Sequence, residues 1–135
     1  MHGIMPLEDI LTLPSIDSDG VCAPWLHDFT FANSTVRNAI CYKRLHDSPK
    51  RDYYAKIAQC MERDGINAVP IHIGRAADVV RAYARVAETE IELPLGIEPE
   101  QLMMGNGHHR VLIAVNLHLT VMRWTDDLFD SGWSA

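Results

Sequence analysis

The chain has 135 residues, a length that predicts one domain with a single hydrophobic core. Hydrophobic residues make up 47% of the sequence, which excludes a disordered chain. The formal net charge of −6 argues against a protein that wraps broadly on nucleic acid, because such proteins usually present a basic face. No apolar run approaches the roughly 20 residues that a membrane-spanning helix needs.

The three cysteines are odd in number, far apart and without the spacing of paired metal ligands. We therefore interpret Cys22, Cys41 and Cys60 as reduced, inert and mostly buried thiols, and not as disulfides or a zinc site. The start of the chain lacks a charged leader followed by an apolar core. Together these features predict a cytoplasmic protein.

Residues 1–47 are predicted to form an irregular N-terminal extension of the domain. Residues 15–23 are rich in Ser, Asp and Gly and indicate a loop, while residues 30–42 fit either strand or helix. Lys43, Arg44 and His46 form a small basic cluster, which we interpret as a solvated face. The apolar residues near the start fit either one helical turn or a docking strand: Leu7, Ile10, Leu11 and Leu13.

Residues 48–65 give the clearest helix pattern in the sequence. Ser48 predicts an N-terminal cap, and Pro49 suits the first helical position. Gly65 ends the helix, since glycine readily adopts the backbone angles found after the last turn. Apolar residues recur at the i, i+3, i+4, i+7 spacing of one buried face: Tyr54, Ile57, Ala58 and Met61.

The next segment predicts a strand over residues 68–73, because Val and Ile alternate there. Pro70 places either the start of this strand or a sheet edge. His72 faces the opposite side from its apolar neighbours, which is either solvent or a functional site.

A second helix is predicted from Arg75 to about Glu88. Its polar side is rich in arginine, and we interpret it as a solvated face, with contact to phosphates as the alternative. The polar side comprises Arg75, Asp78, Arg81 and Arg85. The buried stripe comprises Ala76, Val79, Val80, Tyr83 and Ala87.

A short strand is predicted over residues 91–93 and a loop over residues 95–100. Residues 101–127 then follow the order strand, tight turn, helix, strand. The last eleven residues, 125–135, form an acidic tail that we interpret as loose or bound to a partner. Trp133 is unusual in a free tail and predicts docking on the domain or on a second copy, so a homodimer is a further expectation.

The turn Gly105-Asn106-Gly107 and the three residues after it carry the most distinctive chemistry of the chain. The glycines permit backbone angles closed to other residues, and the first N–H groups of the following helix lack internal partners. The helix dipole makes that end positive, so it attracts anions and phosphate above all.

Three side chains after the turn add donors to this predicted phosphate cradle, which comprises residues 105–110. Arg110 can offer phosphate a planar fork, and His109 titrates near neutral pH, which suits proton transfer. His108 is a second candidate for the proton-transfer role. The alternative is an ordinary turn whose histidines cap the helix or face water. Adjacent histidines point about a third of a turn apart, so no metal site is predicted from them.

Gly107-His108-His109-Arg110, after a strand and before an apolar helix, resembles the signature box of the ParB/sulfiredoxin superfamily. Residues 53–73 are similar to the helix, glycine and strand that open ParB-like domains. His108 replaces the cysteine of sulfiredoxins, so sulfinic acid repair is not expected. Asn106 replaces the aspartate of a free-serine kinase branch. The resemblance implies an α/β (α+β) fold, a small mixed sheet with packed helices, and a phosphate-binding turn.

The leading function hypothesis is therefore nucleotide or phosphoester binding at residues 105–110, with ATP, ADP or CTP and Mg²⁺ as the expected ligands. If the protein is an enzyme, phosphoryl transfer or phosphodiester hydrolysis is the natural reaction class. One alternative is a DNA-acting nuclease-like module, which the acidic charge disfavours. The other is a non-catalytic interaction domain of the kind that phages encode.

Overall fold

The structure is a computed structural model that describes residues 1–17, 20–22, 42–43, 45–93, 96–128 and 131. One mixed β-sheet with helices packed on it confirms the predicted fold class. The strands are β1 (His2–Pro6), β2 (Ser15–Asp17), β3 (Gly20–Cys22), β4 (Ile71–Arg75), β5 (Leu102–Asn106) and β6 (Val121–Thr125). The helices are α1 (Leu7–Ile10), α2 (Arg51–Asp64), α3 (Ala76–Ala87) and α4 (His108–Asn116), with a 3₁₀ turn at Gly65–Asn67.

The six strands lie in the order β1-β6-β4-β5-β2-β3. β4 and β5 occupy the middle and pair antiparallel, whereas the β4–β6 and β2–β5 pairs are parallel. Because β5 runs straight into α4, the predicted cradle lies at a corner in the centre of the sheet.

Helices cover both faces of the sheet. Met103 and Met104 are consecutive on β5 and both fully buried, but they join different apolar clusters because strand side chains alternate. Met104 packs in the larger cluster with α1, α2 and α4, and Met103 packs beneath α3. Five consecutive residues of α4, from Val111 to Val115, are buried, as expected of a helix that is apolar on all sides.

The N-terminal segment contains three of the strands, so the prediction of an irregular extension is wrong. β1 pairs with β6 from His2 opposite Thr125 to Pro6 opposite Val121, which makes it an edge of the sheet. Ile10 and Leu11 are fully buried in the larger cluster. These strands are only three to five residues long, which leaves little local pattern to read. β1 and β2 pair with the distant β6 and β5, whereas β2 and β3 also form a local hairpin.

α2 begins at Arg51, two residues after the predicted first helical position at Pro49, and no side chain caps it. The Ser48 hydroxyl instead accepts a hydrogen bond from the Lys50 N–H at 3.1 Å, within the turn before the helix. Gly65 ends α2 with φ at 55°, as the sequence predicts. The predicted apolar face is confirmed, since Tyr54 and Met61 are buried in the larger cluster and Ile57 and Ala58 pack against it.

β4 starts directly after Pro70 and lies inside the sheet, which excludes the edge position that the proline left open. α3 matches the second predicted helix, but Ala87, expected in its buried stripe, is exposed. The predicted strand over residues 91–93 is irregular, although Ile91 and Leu93 do pack against the smaller cluster.

The segment after β6 is partly anchored, which corrects the prediction of a loose tail for its first half. Leu128 and Ser131 are both buried.

Cys60 is a free thiol and exposed, contrary to the predicted burial. The predictions for Cys41, Arg44, Trp133 and residues 30–41 concern positions outside the described residues. Within the described ranges, no helix has the length and apolar character to cross a membrane.

Candidate functional site

The chain turns from β5 into α4 at Gly107, whose φ of 105° lies in the left-handed region. A Cβ at this position would lie 2.5 Å from the Ile71 Cγ2 atom and 3.3 Å from Nη2 of Arg110. Glycine therefore serves two purposes here, since it relieves backbone strain and lets the Arg110 side chain fold back across the corner.

The other two residues of the predicted turn, Gly105 and Asn106, belong to strand β5, so the prediction of a three-residue loop is wrong. Gly105 is buried on the α3 side of the sheet, where an added Cβ would lie 2.3 Å from Nδ1 of His72. Close packing against His72 explains this glycine. The Asn106 side-chain amide donates to the Ser131 hydroxyl at 3.0 Å, which ties the corner to the C-terminal segment.

Arg110 donates to three backbone carbonyl oxygens. Nη1 bonds to Val69 at 3.0 Å and to Pro70 at 2.9 Å, and Nη2 bonds to Ser131 at 2.6 Å. These bonds join the loop before β4, the start of α4 and the C-terminal segment. The predicted end-on fork for phosphate is thus occupied by protein oxygens, while Nε–H and one Nη2–H have no partner in the described part of the chain.

The charge of Arg110 is not matched by a described carboxylate. Desolvation of the half-buried guanidinium lowers the pKa of Arg110, and the nearby Tyr53 hydroxyl raises it. The guanidinium stays protonated at neutral pH because its ordinary pKa is so high. Since carbonyl oxygens bring only partial charges, the corner keeps a net positive charge beside the positive end of α4.

His109 is exposed and rests on a tyrosine of α2. The rings of Tyr54 and His109 stack with centroids 4.4 Å apart and an interplanar angle of 19°. The Tyr54 hydroxyl and His109 Nε2 share a hydrogen bond of 2.9 Å. Desolvation and then the charge of Lys50 lower the pKa of His109, which favours the neutral imidazole at neutral pH. Nδ1 is the ring nitrogen left for a ligand.

The sequence assigned Tyr54 only to the apolar face of α2 and gave Lys50 no role. A tyrosine in an apolar stripe needs a partner for its hydroxyl, and that was the available signal. His108, the second predicted proton-transfer residue, is half-buried beside the exposed His109. Of the two histidines, His109 is therefore the one more accessible to a ligand in solvent.

His72 lies apart from this group, on the α3 side of the sheet. Its side chain is 2% exposed, so the solvent position left open by the sequence is wrong. Nε2 lies 3.3 Å from the Asp126 carbonyl oxygen, whereas Nδ1 has no hydrogen-bond partner among the described residues. Desolvation lowers the pKa of His72, outweighing the opposing effects of the Asp126 carbonyl and of the Asp126 and Asp127 charges.

Carboxylates pair with two of the three arginines on the polar side of α3. Asp78 pairs with Arg75 at 2.8 Å and with Arg81 at 3.4 Å, and Glu100 also pairs with Arg75 at 3.2 Å. These exposed pairs favour the solvated face over phosphate contact. No group of three or more His, Cys, Asp or Glu among the residues that the structure describes is placed to hold a metal ion.

Comparison of the chain with protein-family models, curated proteins and solved structures gives no match. The ParB/sulfiredoxin resemblance of the 107–110 box therefore stays a prediction from the sequence. The positive charge of Arg110 at the start of α4 is the feature on which a functional proposal can be based.

Proposed function

We propose that the chain binds the phosphate group of a nucleotide or another phosphoester at the phosphate corner, defined by Lys50, Gly107, His109 and Arg110. Gly107 shapes the backbone, and the other three supply charge or hydrogen bonds. The proposal keeps the ligand class predicted from the sequence but changes the role of Arg110. Its guanidinium supplies a fixed positive charge and its remaining N–H groups, not a free end-on fork.

The carrying observation is the half-buried Arg110 guanidinium with no carboxylate partner in the described part of the chain. Charge of this kind is costly to bury unless it is compensated, and an anionic ligand would compensate it. Lys50 adds a second positive charge, which is near enough to lower the pKa of His109. This cationic corner belongs to a chain with a net charge of −6, so it is a local departure from the overall charge.

His109 gives the corner a group that can hydrogen-bond phosphate or transfer a proton. Tyr54 bonds to Nε2 and fixes the ring by stacking, which leaves Nδ1 as the ring nitrogen for a ligand. A neutral imidazole near neutral pH suits a proton acceptor. If turnover occurs, phosphoryl transfer or phosphodiester hydrolysis with Mg²⁺ is the reaction class that we propose, because charge neutralisation and positioning dominate it.

The first test is thermal unfolding with ATP, ADP, CTP or pyrophosphate, each with and without Mg²⁺. A ligand at 100 times its Kd should stabilise the protein by about 2.7 kcal/mol, a shift of several degrees in Tm. Lys50→Ala and His109→Ala should reduce the shift. Arg81→Ala, on the carboxylate-paired side of α3, is the matched control and should keep it. A melting temperature that none of the four compounds moves would refute phosphate binding.

A second candidate is a non-catalytic interaction domain in which the corner serves only folding. The observation that favours it is the set of three carbonyl oxygens bonded by Arg110. Arg110→Lys distinguishes the two, since lysine keeps the charge but cannot reach three carbonyls in the same geometry. Lost stability without any ligand response in the unmodified protein would favour the interaction domain.

A further inference from the structure

The His109 ring of the phosphate corner stacks on Tyr54, and Tyr54 in turn lies beside the ring of Tyr53. The Tyr53 and Tyr54 ring centroids are 6.1 Å apart with an interplanar angle of 51°, and the Tyr54 and His109 centroids are 4.4 Å apart. Tyr54 is buried, whereas Tyr53 is 60% exposed. No described aromatic side chain other than Tyr54 lies against the Tyr53 ring, and that pair is tilted and not stacked.

Tyr53 lies near the positive charge that Lys50 contributes to the phosphate corner. Lys50 precedes Tyr53 by three residues and Tyr54 by four, so all three residues share one side of the start of α2. An exposed aromatic ring therefore lies on the same side of α2 as Lys50 and beside the tyrosine that stacks on His109. The charge interaction that raises the pKa of Arg110 from the Tyr53 hydroxyl agrees with this placement.

We propose that Tyr53 stacks on the base of a nucleotide whose phosphate is bound at the phosphate corner. This inference rests on the proposed function and narrows the ligand class from phosphoesters in general to nucleotides. Every base has a π-face, so stacking holds purines and pyrimidines alike and gives little discrimination between them. The sugar of the nucleotide would then connect the base on Tyr53 to the phosphate at the corner.

The test compares ATP with inorganic tripolyphosphate, which carries a triphosphate but no base, by isothermal titration calorimetry. We expect the unmodified protein to bind ATP at least tenfold more tightly than tripolyphosphate. Tyr53→Ala should weaken ATP about tenfold or more and leave tripolyphosphate unchanged, whereas Tyr53→Phe should keep the affinity for ATP. Tyr42→Ala is the matched control, since Tyr42 is equally exposed but stacks on His46 instead.

The outcomes separate the inference from the function on which it rests. If ATP and tripolyphosphate bind equally well and Tyr53→Ala changes neither, the corner binds phosphate and the stacking role is wrong. Binding of neither compound overturns both proposals. Loss of both affinities in a Tyr53→Ala variant with unchanged circular dichroism would give Tyr53 a phosphate-side role and also overturn base stacking. Tyr53→Leu repeats the comparison should the alanine variant fold poorly.

Discussion

At the scale of single residues, two adjacent tyrosines at the start of α2 carry different tasks. Tyr54 is buried and its hydroxyl bonds to His109, whereas Tyr53 is exposed. Tyr54→Phe keeps the stacked ring but removes the hydrogen bond, so the free energy of unfolding should fall by about 1 kcal/mol. Urea unfolding measures it, with Tyr53→Phe as the control expected to stay within about 0.5 kcal/mol. Equal effects of the two substitutions would contradict the assigned hydrogen bond.

His72 makes the stability of the fold depend on pH, because its folded-state pKa is lowered by burial. Below the ordinary value of 6.5 the unfolded chain takes up a proton that the folded protein resists, so stability should fall as pH drops from about 7 to 5. Above that window the contribution is fully present. His72→Gln should flatten this dependence in urea unfolding at several pH values.

The lowered pKa of His109 also makes the free energy of unfolding fall as the pH drops, and the exposure of His109 makes this contribution smaller than that of His72. His109→Ala is therefore the control that separates the two histidines. The Asp126 carboxylate has a lowered pKa, mainly through its hydrogen bond to the N-terminal ammonium, and loses its contribution only at more acidic pH. A stability that is flat from pH 7 to 5 in the unmodified protein would contradict the burial of His72.

At the scale of elements, the segment after β6 holds the corner from outside. Leu128 is buried at 4% exposure, and the Ser131 hydroxyl donates to its carbonyl oxygen while the Ser131 carbonyl accepts from Arg110. Leu128→Ala should lower the free energy of unfolding by about 2–5 kcal/mol and raise amide hydrogen exchange over residues 107–111. Leu102→Ala, at a leucine that is 40% exposed, should cost far less. Unchanged exchange at the corner would show that the segment does not support it.

Elements defined by local periodicity were predictable from the sequence. α2, α3 and the strand, turn and helix of residues 102–116 follow from apolar spacing and from glycine placement. The Arg110 contacts and the Tyr54–His109 pair were not predictable, since they join residues 21 to 55 positions apart. No local pattern marks carbonyl oxygens as acceptors, so the sequence assigned the Arg110 fork to a ligand.

At the scale of the whole molecule, the first and last strands of the described chain pair with each other at one edge of the sheet. β1 pairs with β6, and the N-terminal ammonium bonds to Asp126 at 2.8 Å, immediately after that strand. The sequence predicted an irregular extension because its strands are only three to five residues long and β1 pairs with the distant β6. It predicted a loose or partner-bound tail because the residue that Ser131 contacts, Arg110, lies far from it in the sequence. By contrast, the alternating Ile71 and Ile73 of β4 and the apolar start of β5, Leu102 to Met104, were recognisable.

The steric demand at Gly107 bears on how variation among natural relatives should be read. Any side chain there would collide with Ile71 whether or not a ligand binds, so invariance of this glycine would report only that the bend is kept. Lys50 and Tyr53 are exposed and carry no such packing constraint, whereas His109 is also held by its contact with Tyr54. Covariation among positions 50, 53 and 109 in natural relatives would therefore indicate that the three side chains bind the same ligand.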